Sequence, residues 1–285
     1  MKQPQWMTIG VAIFLIGVIF IFARTVPEKK IVSPAAADAA MSMPGELSTD
    51  TILQIAKSQL TAEQAGRITA LENTISRGAV KQQQLEVYHQ LAHIWGDTLG
   101  FFPVAAWYQA EAARLENSEK SLTFAAHLLL SNVLNGHDGE AALTRWEALQ
   151  AKDLFERSLI INPANDSSKV GIGACFMFGN ISPTPMEGIN KIREVVERDS
   201  TNVYGQMMLV QGALFSNQLD KAISRLHTIC RLQPDNTEAI FLLADVYERS
   251  GNKTAAAEWY RESLLYIKRP DVRAAIEKRI TDLKK

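Results

Sequence analysis

Residues 240–268 read IFLLADVYERSGNKTAAAEWYRESLLYIK. Leu243-Ala244 and Tyr247, then Ala256, Tyr260 and Ser263, recur at steps of three and four, which is the period of a helix and not of a strand. The stretch predicts a helix, a turn and a second helix. Small side chains at Ala244 and Ala256 let two helix axes approach closely, and Tyr247, Trp259 and Tyr260 fill the space beside them. Such a hairpin keeps an apolar face that only another hairpin can cover.

Working outward, that second hairpin is found in the chain itself. Leu209-Val210, Ala213, Ala222, Leu226, Ile229 and Pro234 repeat the pattern 34 residues earlier, and Cys175-Phe176, Gly179, Gly188, Ile192, Val195 and Ser200 repeat it once more. Further back, Ala151, Phe155, Ser158 and Pro163 in AKDLFERSLIINP supply a second half alone. The stretch SLTFAAHLLLSNVLNGHDGEAALTRWEALQAKDLF reads as a copy with an enlarged turn and a longer second helix. A degenerate copy precedes it, with Leu91-Ala92 and Trp95 in one helix and VAAWYQAEAARLE in the next.

This pattern resembles the tetratricopeptide repeat, a 34-residue unit with a large then a small residue in its first helix, Ala and an aromatic in its second, and Pro at its end. The resemblance spans residues 79–268, about five units, and is clearest at 169–202, 203–236 and 237–270. It implies an all-α, right-handed superhelical solenoid of antiparallel helix pairs. Residues 270–285 (PDVRAAIEKRITDLKK) place Val272, Ile276, Ile280 and Leu283 on one side, as a capping helix requires.

The resemblance also implies a groove that receives protein or peptide segments, lined by positions two, five, nine and twelve of each first helix. Those positions are Val170, Gly173, Met177 and Asn180, then Tyr204, Met207, Gln211 and Leu214, then Glu238, Phe241, Asp245 and Glu248. Such a groove is apolar and Met-bearing in its middle and acidic at its C-terminal end, suiting a partner segment with apolar anchors and positive charge. The plainer alternative is that these side chains pack against neighbouring hairpins.

Upstream of the repeats, no charge interrupts residues 3–23, and MTIGVAIFLIGVIFIFA (7–23) is almost wholly apolar. A helix of this reach matches a bilayer core of roughly 30 Å, with Trp6 and Arg24 at its edges. The chain therefore divides into a tail at 1–5, a membrane-spanning helix at 6–24, a tether at 25–47 and N-terminal helices at 48–78, with Ser48 and Thr61 as N-caps. Lys2 on one flank against Arg24, Lys29 and Lys30 on the other would keep the large domain in the cytoplasm. A short N-terminal span before a long soluble region more often acts as an uncleaved export signal. The reading adopted is a single-pass protein of the inner membrane with its repeats outside the cytoplasm, and the cytoplasmic orientation stays open.

Composition narrows the function. The chain has 285 residues, 47% hydrophobic, with 30 Lys plus Arg against 31 Asp plus Glu, so no field of one sign draws in nucleic acid. His89 and His93 in HQLAH stand one helical turn apart, but Gln90 replaces the Glu of a metalloprotease and no third ligand is near, so no metal is expected. His137 and Asp138 belong to a loop. GIGACFMFGN (171–180) lacks the third glycine of a dinucleotide loop and the Lys of a phosphate loop, so no cofactor is expected and its glycines read as close helix packing. Cys175 and Cys230 occupy apolar repeat positions and read as buried thiols rather than a disulfide. No catalytic constellation is visible. The leading expectation is a membrane-anchored scaffold for envelope protein assembly, export or complex maturation. A self-associating membrane oligomer and a cytoplasm-facing adaptor are the alternatives.

Overall fold

The computed structural model describes residues 47–77, 80–136 and 141–284. The expected tail, membrane span and nearly all of the tether lie outside the described residues, and no helix among the described residues is long and apolar enough to cross a membrane. Every regular element among the described residues is helical.

Helices α1 (Thr49–Lys57) and α2 (Ala62–Ser76) begin at Ser48 and Thr61, whose hydroxyls accept the N–H three residues on. Gln64 returns a bond to the Thr61 N–H and closes a capping box. Helix α3 (Lys81–His93) runs into a π-helical turn (Ile94–Thr98) that leads to α4 (Phe102–Glu116). Trp95 anchors this corner, fully buried and edge-on to Phe101 at 5.9 Å. Then follow α5 (Glu119–Asn135) and α6 (Ala141–Ile161), of 17 and 21 residues; the sequence anticipated the longer second helix but not the added length of the first. The remaining pairs are α7 (Asp166–Phe178) with α8 (Met186–Arg198), α9 (Val203–Phe215) with α10 (Leu219–Leu232), and α11 (Thr237–Arg249) with α12 (Lys253–Ser263). A last helix, α13 (Pro270–Leu283), lies against α12.

The first helices of these last three pairs share one frame. Asn165, Asn202 and Asn236 cap them, each side-chain oxygen accepting the N–H three residues on. Asn180, Asn217 and Gly251, at φ 53°, 55° and 84°, stop them in the left-handed region, fifteen residues past the cap in every case. The caps stand 37 and then 34 residues apart, whereas the buried second-helix positions Gly188, Ala222 and Ala256 keep 34 throughout. The surplus sits in the loop at 179–185, longer than its equivalents at 216–218 and 250–252. The residues of α7 equivalent to Leu209-Val210 are therefore Ile172-Gly173, which corrects the pairing with Cys175-Phe176 by three residues.

Close helix contact explains the glycines at 173 and 188. A Cβ on Gly188 would lie 2.2 Å from the Gly173 carbonyl oxygen, one on Gly173 would lie 2.5 Å from Ile192 and 2.8 Å from the Gly188 carbonyl oxygen, and one on Gly171 would lie 2.3 Å from the Phe155 ring. One continuous core runs from Ile52 to Val246; a second, of Ala244, Ala256, Ala257, Tyr260, Ile276, Ile280 and Leu283, joins α13 to the last pair. Successive first helices α5, α7 and α9 touch while the second helices α6, α8 and α10 stay apart, so this part of the array bends toward its first helices. At the N-terminal end the pattern reverses, with α4 resting on α6. There Arg114 of α4 bonds Asp153 at 3.0 Å and Gln150 at 2.7 Å.

Gly188→Ala is expected to force α7 and α8 apart and destabilise the domain by about 2 kcal/mol, since the atom that would have to yield is backbone. Gly66→Ala, on an exposed face of α2 with open space around it, is expected to stabilise by about 0.5–1 kcal/mol. Urea unfolding of the two variants checks both signs.

Candidate functional site

The corrected frame redraws the inner face. Counting from the caps, α7 contributes Ser167, Val170, Ala174 and Met177, while α9 and α11 contribute the residues the sequence assigned to them. Gly173 instead faces α8, and Asn180 is the left-handed stop of α7, its carbonyl accepting Arg145 Nη1 at 2.7 Å. Both leave the groove set because the slip lies within that hairpin's loop. Val170 is fully buried, Met177 and Met207 nearly so, and these three pack between hairpins rather than line open space. Met177 occupies the room that Gly188 and Gly212 leave on α8 and α9.

Accessible surface remains at Gln211 and Leu214 of α9 and at Glu238, Phe241 and Asp245 of α11. Phe241 is 42% exposed and meets Tyr260 edge-on at 5.4 Å, so one edge of its ring has an aromatic contact while the rest faces solvent. Glu248 is taken by the capping helix: Arg279 binds it through two nitrogens, and Tyr260 Oη donates to it at 3.2 Å. Burial and the Glu248 carboxylate push the Tyr260 phenol up to about 12. The carboxylates that keep accessible surface on this face are those of Glu238 and Asp245.

Four helices meet at His127, which the sequence did not single out. It is the ninth residue after the Ser118 cap of α5, and its Nε2 lies 2.7 Å from Ser167 Oγ on α7. Its ring stands edge-on to Phe155 of α6 at 5.0 Å and to Tyr204 of α9 at 5.2 Å. Burial lowers the His127 pKa and raises that of Tyr204, where the neighbouring Cys175 acts in the same direction. Tyr204 Oη is buried with no hydrogen-bond partner among the described residues. Counting from each cap would have found His127; the longer helices of its unit hid it from a 34-residue alignment. Beside it Ser158 and Ser168, both fully buried, bond each other at 3.1 Å, and Asn165 Nδ2 donates to Glu119 at 2.6 Å. These contacts join α5, α6 and α7.

The other candidates are dispersed. His89 Nδ1 faces Gln109 Oε1 at 3.2 Å, and His93 Nε2 faces Asp97 at 3.3 Å, so the two rings do not converge. No group of three metal-ligand side chains forms among the described residues. His137 and Asp138 lie outside the described residues. Both cysteines are free; Cys175 is buried and its thiol pushed up to about 12, while Cys230 is only half-buried.

No family model matches the chain, and no curated protein matches it. Among solved structures it is similar to residues 41 to the end of MamA from Desulfovibrio magneticus RS-1, with a TM-score of 0.41 and 17% identity, covering 64% of this chain and 94% of that one. Similarity to YrrB, described as a TPR protein with an unusual peptide-binding site, has a TM-score of 0.40 and 14% identity over 73% of this chain and 98% of that one. The fold is tetratricopeptide-like. That character stands on this chain's own caps, stops and hairpin contacts.

Because burial holds His127 below its ordinary value of 6.5, the unfolded chain takes up a proton that the fold resists. The stability linked to this residue is complete above that value and declines as pH falls through it. The wild type is expected to lose more stability than His127→Gln between pH 7.5 and pH 5, as read by urea midpoints. Cys175 is expected to react with a disulfide reagent only on unfolding, as thiol-release kinetics would show.

Proposed function

We propose that the chain is a scaffold that holds protein partners on the face formed by α7, α9 and α11. The observation that carries this reading is Phe241, a large aromatic ring that stays open on a first helix with Asp245 on the same helix and Gln211 and Leu214 on α9. An exposed aromatic ring beside carboxylates suits a helical or extended segment bearing an apolar anchor and positive charge. The buried Val170, Met177 and Met207 support the face from below. We further propose that residues 6–24 anchor the scaffold in the inner membrane with its repeats outside the cytoplasm, where it serves envelope protein assembly, export or complex maturation. The uncharged apolar run at 7–23 supports this reading.

A photoreactive amino acid placed at Gln211 or Phe241 is expected to crosslink protein partners, and one placed at Glu258 on the opposite helix of the last pair is not. Equal crosslinking from all three positions removes the groove. For the anchor, a C-terminal reporter active only outside the cytoplasm is expected to work. Activity of the cytoplasm-dependent reporter instead moves the scaffold to the inner face.

A further inference from the structure

The outer side of the array carries a feature of opposite charge. Between the second helices α8 and α10, which stay apart, lies a cleft of about 400 Å³ floored by Leu209, Gly212 and Ala213 of α9. Met186 and Ile189 of α8 extend the apolar wall, and Met186 is 58% exposed. One helical turn further along stand the cations: Arg193 on α8, and Lys221 and Arg225 on α10. None of the described residues lining the cleft is acidic.

Arg225 is the unusual member. It is half-buried and forms no ion pair among the described residues; its Nη1 donates at 2.7 Å to the side-chain oxygen of Gln206. Gln206 is itself 5% exposed, and its amide nitrogen is tied to the Ser200 carbonyl at 3.1 Å, so its oxygen is fixed toward the guanidinium. A guanidinium has five donors, and this arrangement orients the group while using one. Burial and the nearby Arg193 both act against the Arg225 charge. Arg193 has Glu197 at 2.9 Å, and among the described residues Lys221 bonds the Gln218 amide oxygen and no carboxylate. One repeat earlier, the cleft between α6 and α8 is self-neutralised, with Lys152 on Glu156 at 2.6 Å and Lys191 on Glu187 at 3.9 Å. In the α8–α10 cleft no carboxylate belongs to the lining, and only Arg193 has an ion-pair partner, Glu197 outside it, among the described residues.

We propose that the α8–α10 cleft is a second binding site, for an acidic protein segment that seats an apolar side chain on Met186, Ile189 and Leu209 and a carboxylate on Arg193 and Arg225. The spacing is that of the cleft: Ile189 and Arg193 are four residues apart on one helix, about 6 Å along its axis, which matches an apolar residue and a carboxylate one turn apart on a partner helix. Two methionines among the apolar lining let it adapt to the shape of the anchor. Arg225 sits recessed, where a side-chain carboxylate reaches it and a flat bilayer surface does not. The site opens on the second helices, away from the first-helix face, and shares only the buried Met177 with it.

The test titrates the full chain with a fluorescein-labelled helical peptide of Ala, Leu and Glu with Leu and Glu one turn apart, and with the same peptide carrying Gln for Glu. The Glu peptide is expected to bind about tenfold more tightly, the worth of a charge-assisted contact, and to weaken as salt rises. Arg193→Gln/Arg225→Gln is expected to erase the preference. Because Arg225 is half-buried, Arg193→Gln/Lys221→Gln on the exposed rim provides a second variant, expected to reduce the preference with an unchanged thermal melt. Phe241→Ala is expected to leave it intact. Equal affinity for the two peptides, retention of the preference in both cationic variants, its loss in Phe241→Ala, or charge-dependent binding confined to phosphatidylglycerol vesicles would each overturn the proposal.

Discussion

The approach of α7 to α8 at Gly173 and Gly188 brings main chain against main chain, with no side chain between them. Two helices this close leave no tolerance in axial position, so the seven residues at 179–185 must absorb whatever separates the end of one from the start of the other. Met177 follows from the same contact, because its thioether enters the space that Gly188 and Gly212 keep free. That side chain is at once the twelfth residue of a first helix and part of the wall of the outer cleft. The inner face and the outer cleft thus share a single buried residue, and the glycines that position it position both.

A formal net charge of −1 conceals two surfaces of opposite sign. Glu238 and Asp245 mark the first-helix side at α11, while Arg193, Lys221 and Arg225 mark the second-helix side one pair earlier. Averaging over the chain removes any long-range field, so attraction at either place is local and acts within about a Debye length of roughly 8–10 Å. The two charged surfaces therefore do not cancel one another locally. A whole-chain net charge of −1 says nothing about such patches.

Second helices were legible in the sequence because a small residue followed four later by a large one, Gly188 with Ile192, Ala222 with Leu226 and Ala256 with Tyr260, is a strong periodic signal. First helices were legible only where loop length was constant. The three residues by which the first cap spacing, 37, exceeds 34 leave the helix period nearly intact, so an alignment at 34 still finds apolar residues at 175 and 176 and gives no warning. The asparagine caps carry the missing information, since Asn165, Asn202 and Asn236 mark the starts directly. Non-local contacts were beyond the sequence altogether: nothing near Glu248 announces that Arg279 binds it, and nothing near Arg225 announces that Gln206 turns its oxygen there.

Both ends of the inner face are closed by the fold itself. At the C-terminal end α13 covers the last pair and removes Glu248 from the accessible set, leaving Phe241 and Asp245 as the final open positions. At the N-terminal end the contact of α4 with α6 brings second helices together, the opposite of what bends the later pairs. A continuous groove formed by first helices therefore runs at most from α5 to α11. At its α5 end the rings of His127 and Tyr204 meet edge-on, and the accessible first-helix positions are those of α9 and α11.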